Sequence, residues 1–156
     1  MARLEILSVE EGFCRSLLEQ FKQYASVPDD SRDALLASLL KTAVLAVQES
    51  ADKALLTCEV RQTSLVPDGT GIVKLYLGGG TVTSVTTAGG EPVGWDPLPG
   101  GRVQSFTRGV GIVVDYTTAP LESDRDRLLP TVFRYATALY DGEDAAVLAQ
   151  IRNEIR

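Results

Sequence analysis

The run DSRDALLASLLKTAVLAVQESADKA, Asp30 to Ala54, decides how this chain is read. Leu35, Leu36, Leu39, Leu40, Ala43, Val44, Val47 and Ala51 recur at helical spacing and make one broad apolar face with charge opposite. Asp30, with Asp33 three residues on, has the pattern of a cap followed by an acid and sets the expected start. A long amphipathic helix is common, but its setting here is not. A shorter helix precedes it, a glycine-broken β region follows, two short helices close the chain, and nothing between them has the pattern of an active site.

Working outward toward the N-terminus, Arg3 to Leu7 alternates weakly and reads as a short strand or an extended arm. A helix is expected from Ser8 or the Val9 region, with Glu10 and Glu11 in its first turn, where carboxylates complement exposed N–H groups. Phe13, Cys14, Leu17, Leu18 and Phe21 form its apolar face, and Pro28 marks a break. Two helices joined by so short a link pack as an antiparallel or steeply crossed pair.

Beyond Ala54 the period changes. Leu56 to Val66, Ile72 to Leu77, Thr81 to Thr87, Arg102 to Thr107 and Gly111 to Thr117 read as strands, the last apolar enough for a central place. Between them, EPVGWDPLPGG holds three of the seven prolines and is not expected to stay regular for long. Helical spacing returns over Asp126 to Tyr140, with Pro130 expected in the first turn, where its missing N–H is harmless. Gly142 separates a last helix, Glu143 to about Glu154. The expected fold class is α+β, a bundle of about four helices with a small antiparallel β insert between helices 2 and 3. One domain, 1–156, is the economical reading, helical over 8–54, β over 56–118 and helical over 124–155.

A formal charge of −6 argues against an affinity for free nucleic acid built on neutralising phosphates, while leaving room for DNA passing nearby. No window approaches eighteen consecutive apolar residues, and the N-terminus lacks the apolar core of a secretory leader, so neither a membrane partner nor export is expected. Cys14 and Cys58 fall in different elements and read as buried thiols in a reducing compartment.

The sequence has no histidine, which removes the commonest general base and nitrogen ligand. No catalytic residue, cofactor or metal is expected. Asp124 and Asp126 flank Arg125 as helix-leading charges, and Asp141, Glu143 and Asp144 lack the regular oxygen spacing of an ion loop. Asp115 either faces solvent or, facing inward, needs Arg61 or Arg102. Gly78–Gly79–Gly80 precedes a strand, so it reads as a turn and not a phosphate cradle. Trp95, among prolines, either covers a local core or anchors a protein contact. The terminal IRNEIR is either a frayed end or a docking tail.

Taken in order, these segments resemble the head–tail connector (head-completion adaptor) family of long-tailed bacteriophages, over nearly the whole chain. Leu7 to Leu18 echo the family's N-terminal short helix, and its most recognisable segment is similar to Asp29, Asp30, Asp33, Leu35, Leu36, Leu39, Leu40 and Ala43. Arg61, Gln62 and Thr63 match the passage from helix to strand. Thr81 to Val85 resembles a proline-valine-x-serine-valine strand with threonine in the proline's place. Ile112 to Ala119 resembles a second strand, with Pro120 where glycine is commoner. Leu129, Pro130 and Phe133 match the start of the third helix and Tyr140 its end, after which the chain departs from the family with Asp141–Gly142–Glu143–Asp144.

The resemblance implies a structural virion protein and no enzyme. Family members form a ring, normally of twelve copies, on the outer end of the portal, extend the DNA channel without binding DNA specifically, and offer a surface to the next neck, stopper or tail protein. Their C-terminal segment reaches into the portal, which here implicates Val147, Leu148, Ile151, Arg152, Ile155 and Arg156. Lys41, Glu49, Asp52, Lys53 and Trp95 are the expected inter-subunit or tail-side contacts. The implied location is the virion neck, after synthesis in the host cytoplasm. Two other readings stand beside it: a stopper or tail-terminator ring, or a non-enzymatic cellular binding module. An enzyme would need a deep pocket gathering several of Asp115, Asp124, Arg102 and Arg108.

Overall fold

The decisive run does form a long helix, α2 (Asp33–Ala51), which follows α1 (Gly12–Tyr24) in a computed structural model that describes residues 2–155. The described residues cluster in two units. One is helical, made of Glu10–Leu56 and the chain from Pro120 onward; the other is β, made of the chain up to Val9 and Thr57–Ala119.

In the helical unit, α2 packs on α1, on α3 (Glu122–Tyr140) and on α4 (Ala145–Asn153). Leu36, Leu40, Ala43, Val44 and Val47 are fully buried, and Phe21 of α1 meets Phe133 of α3 at 5.7 Å between ring centres. Each of the larger side chains contributes about 1.5–3 kcal/mol by leaving water. By length and composition α2 would also pass for a membrane span; its buried residues give that composition a role in the unit's core.

Several boundaries differ from the expected ones for identifiable reasons. The first strand, β1 (Arg3–Val9), runs further than expected because Val9 still pairs with Cys58. It displaces the start of α1 to Gly12, so Glu10 and Glu11 precede the helix. Asp30 is not the cap of α2: Arg32 occupies that place without a side-chain bond, and Asp30 and Asp33 both turn to the ammonium of Lys22. The helix ends at Ala51, where Asp52 adopts a left-handed conformation, φ +50°. Helix α3 starts at Glu122, four residues early, which leaves Pro130 inside it. Pro130 is exposed, so the carbonyl of Asp126 that it deprives of a donor can turn to water.

The β unit has two antiparallel sheets. One has the order β1, β2 (Cys58–Leu65), β7 (Gly111–Thr118), β4 (Gly80–Thr87); the other has the order β3 (Ile72–Lys74), β6 (Arg102–Ser105), β5 (Trp95–Leu98). Strand β7 is central, as its apolar run implied, and buries every second residue: Ile112, Val114, Tyr116 and Thr118. The proline-rich stretch, expected to be irregular, contains β5. It lies at a sheet edge, where Pro97 removes no needed donor.

The buried rows of the two sheets face each other, and Gln62 fastens them. Its amide nitrogen donates to Lys74 O and Ser64 Oγ, both at 2.9 Å, and its carbonyl accepts from Tyr76 N at 2.9 Å and Tyr116 Oη at 3.0 Å. The strand expected over Ile72 to Leu77 stops at Lys74; Tyr76 to Gly78 form a short 3-10 turn, and Gly80, the last of the glycine triplet, already opens β4, where it is fixed by close approach. A Cβ on Gly80 would lie 1.8 Å from Thr117 O.

Candidate functional site

A hollow of about 480 Å³ lies beside the end of α1 and is lined in part by Glu19, Lys22, Ser26 and Asp30. Glu19, Asp30 and Asp33 bring carboxylate oxygens within 4.8 Å of one another, which is ligand spacing for a cation. The cation there is the protein's own. Lys22, 5% exposed, pairs with Asp30 and lies 2.9 Å from Asp33. Asp30 first, then Asp33, hold its ammonium pKa well above the usual lysine value. Sequence reading missed this group, because its members meet only when the chain folds back from α1 into α2.

The acids that the sequence did single out have local duties. Asp124 lies 3.6 Å from Arg127, and Asp144 caps α4 by accepting from Val147 N at 3.1 Å. Asp115 lies on the outer face of its sheet and still takes Arg61, through Nε at 2.9 Å and Nη2 at 3.0 Å. Arg61 lowers the Asp115 pKa against the opposing effect of partial burial. Arg125, unremarked in the sequence beyond its flanking acids, donates to Leu55 O at 2.8 Å and Glu10 Oε1 at 2.7 Å, and covers the Phe13 ring at 3.9 Å. These are ties within a scaffold, not a constellation around a reacting atom.

The residues expected at surfaces divide by burial. Ile151 is 2% exposed, a core residue of the helical unit, so it has little surface to offer a partner. Val147, Leu148 and Arg152 of α4 and Ile155 just after it are half-buried, while Arg156 lies outside the described residues. Glu154 pairs with Arg134 of α3, which ties the segment after α4 back to the bundle. Lys41 is half-buried beside a hollow of about 270 Å³ between α1 and α2, lined also by Cys14, Arg15 and Ser38. Glu49 and Lys53 are exposed and Asp52 half-buried at the far end of α2. Trp95 stands in β5 of the other unit, half-buried and opposite Ser105.

Sequence reading did not separate the two sides of α2. Leu35 is 51% exposed, and Leu39, Leu45 and Ala46 are half-buried, which leaves a second apolar strip beside the core-facing one. Equal hydrophobicity on both sides hides that difference from periodicity.

No protein-family model matches the chain, and no curated protein matches it. Solved structures do. A chain in the neck of an empty GTA particle computed with C6 symmetry superposes with a TM-score of 0.68 at 21% identity, covering 99% of this chain and 95% of that one. A chain in the neck of a native GTA particle computed with C12 symmetry gives 0.65 at 19% identity, covering 99% and 94%. A chain in the virion of a native gene transfer agent (GTA) particle gives 0.66 at 21%, covering 88% and 84%. The four helices and the β insert between α2 and α3 are thus a fold shared with chains of such particles, from end to end.

Proposed function

We propose that this protein is a structural ring component of a phage-like particle neck, an adaptor between portal and tail that extends the DNA channel. The observation that carries the reading is the fold likeness, which spans 99% of the chain, to a chain in a neck of C12 symmetry. Twelve copies arranged about the channel would follow. The partly exposed apolar strip of α2, with Leu35, Leu39 and Leu45, supports it, because a helix apolar on both sides needs a second cover. Lys41, Glu49, Asp52 and Lys53 border that strip and supply charges for a neighbour in the ring, and Trp95 serves the neighbour or the tail side. Docking on the portal falls to the C-terminal segment, where Arg152 and Ile155 are half-buried; Arg156, assigned with them, lies outside the described residues. Ile151 supports that surface from beneath, behind the half-buried Val147 and Leu148. No step of this role needs a cofactor, a metal or a reacting group, and the net acidity keeps passing DNA from adhering.

Averaged electron microscopy of the protein mixed with the portal encoded beside it in the genome tests this. An added coaxial layer on the portal is the expected result, and its symmetry gives the copy number. Bare portal rings beside unbound protein would favour a stopper or terminator position further along the neck, or a cellular binding module.

A further inference from the structure

The edges of the two sheets in the β unit are not guarded alike. Along β4 the chain folds back, so that Thr87 N donates to Glu91 O at 2.8 Å and Val93 N to Val85 O at 3.0 Å, and Thr83 is the extra residue of a bulge. Strand β5 carries Pro97, and β3 is three residues long. Each of these devices discourages a further strand. Strand β1 is an edge of seven residues without a proline, and its bulge at Leu7 leaves Arg3 to Ile6 in regular register with Thr63 to Val60.

That regular stretch has two unlike faces. Leu4 and Ile6 lie opposite the buried Gln62 and Val60, on the core-side row, yet Leu4 is half-buried and Ile6 is 39% exposed. Arg3 and Glu5 lie on the outer face, both exposed, and neither forms an ion pair among the described residues. Glu5 stands beside Arg61 and adds to the field that favours its charge, but the guanidinium itself is engaged by Asp115.

The outward N–H and C=O groups of a bare edge are a template for another strand, and the charges select which. In an antiparallel copy of the same stretch centred on Leu4, Arg3 faces Glu5 of the second copy, and Glu5 faces its Arg3. Leu4 then meets Leu4 on the core-side row, and Ile6 lies opposite Ala2. Centring on Arg3 or on Glu5 would oppose like charges. Centring on Ile6 would bring the Leu7 bulge into the ladder. A centre between residues would oppose side chains that belong to different faces.

We propose that free copies of this protein pair two-fold through β1, antiparallel about Leu4, and join their four-stranded sheets edge to edge. Such a pair closes on itself, whereas a ring of rotational symmetry repeats a head-to-tail contact. The pair is therefore a state of the protein away from the neck, one that masks the bare edge before assembly. It goes beyond the ring reading and does not depend on it.

Arg3→Glu and Glu5→Arg test it by sedimentation velocity over a range of concentrations, with circular dichroism to verify folding. Wild type dimerises as concentration rises. Each single variant opposes like charges twice and dimerises at least about tenfold more weakly. An equimolar mixture of the two variants sets unlike charges opposite again, so it dimerises about as tightly as wild type although neither component does so alone. A role of either residue confined to its own chain gives no rescue on mixing. A wild type that stays monomeric or passes straight to larger multimers, variants that dimerise as wild type does, or a mixture no tighter than its components each overturn the β1 pair. All three leave the ring reading standing, because the coaxial density on the portal decides that separately.

Discussion

Gln62 and Asp115 lie on opposite faces of one sheet, and their partners make them differ in kind. Gln62 is fully buried and satisfies a backbone carbonyl, a backbone N–H and two hydroxyls, so nothing of similar shape replaces it. Gln62→Leu leaves several of these groups without partners. It should cost at least about 2 kcal/mol in urea unfolding, with the loss falling on the β unit. Asp115 acts through charge. Its pKa is lowered in the folded protein, chiefly by Arg61, so its contribution is present above the unfolded value near 3.8 and is lost as pH falls through the lower folded value. Asp115→Asn should therefore flatten the acid limb of the stability profile below about pH 4 and change little of its slope near neutrality. Comparing unfolding midpoints of the two proteins from pH 7 down to pH 2 checks the sign.

Among the elements, α3 carries a proline nine residues in, on its exposed side. Pro130→Ala restores a backbone donor to the Asp126 carbonyl and should raise stability by about 1–3 kcal/mol, read as a higher urea midpoint. That proline also shows how far sequence reading reached. Apolar periodicity located α2, the central strand β7 and the order of helices and sheet, because one repeating face per element is a local property. The start of α3 was misplaced because Pro130 is at home in a first turn, while Glu122 to Arg125 offer few apolar residues to extend the pattern. Asp30 misled for a related reason. A carboxylate near a helix start reads as a cap until a lysine from the preceding helix claims it. Strand β5 hid behind its prolines, since edge position is a property of the assembled sheet.

For the whole molecule, the issue is which apolar surface is core and which meets a neighbour. Leu39 first reads as core, so that a charge there would unfold the chain; in the structure it is half-buried, and Leu36 and Leu40 do the packing. Leu40→Asp should leave no folded protein, because an unpaired charge in that site is far costlier than the unit can bear. Leu39→Asp should instead fold, with a near-normal circular dichroism spectrum, and fail to assemble into rings. Size-exclusion chromatography of the two separates core from contact surface. The same logic bears on α4. Deleting it would uncover the seat of Ile151 and confuse loss of docking with loss of folding, so Arg152→Glu is the cleaner probe of portal binding. It should reduce the coaxial density on portal rings without lowering the thermal midpoint by more than a few degrees.

The helical unit is assembled from two stretches separated by the entire β insert, which has a consequence during translation. Helix α2 leaves the ribosome with its apolar residues bare, and its partners α3 and α4 begin only after Glu122 has been made. At ordinary elongation rates the roughly seventy intervening residues take about 4–14 s, long compared with helix formation or collapse. For that interval a nascent chain carries a helix as greasy as a membrane anchor, with only α1 of its own to lay against it. Chaperone occupancy on translating ribosomes should therefore peak while the β insert is being synthesised and fall once α3 emerges, and crowded polysomes would be where this protein is most easily lost to aggregation.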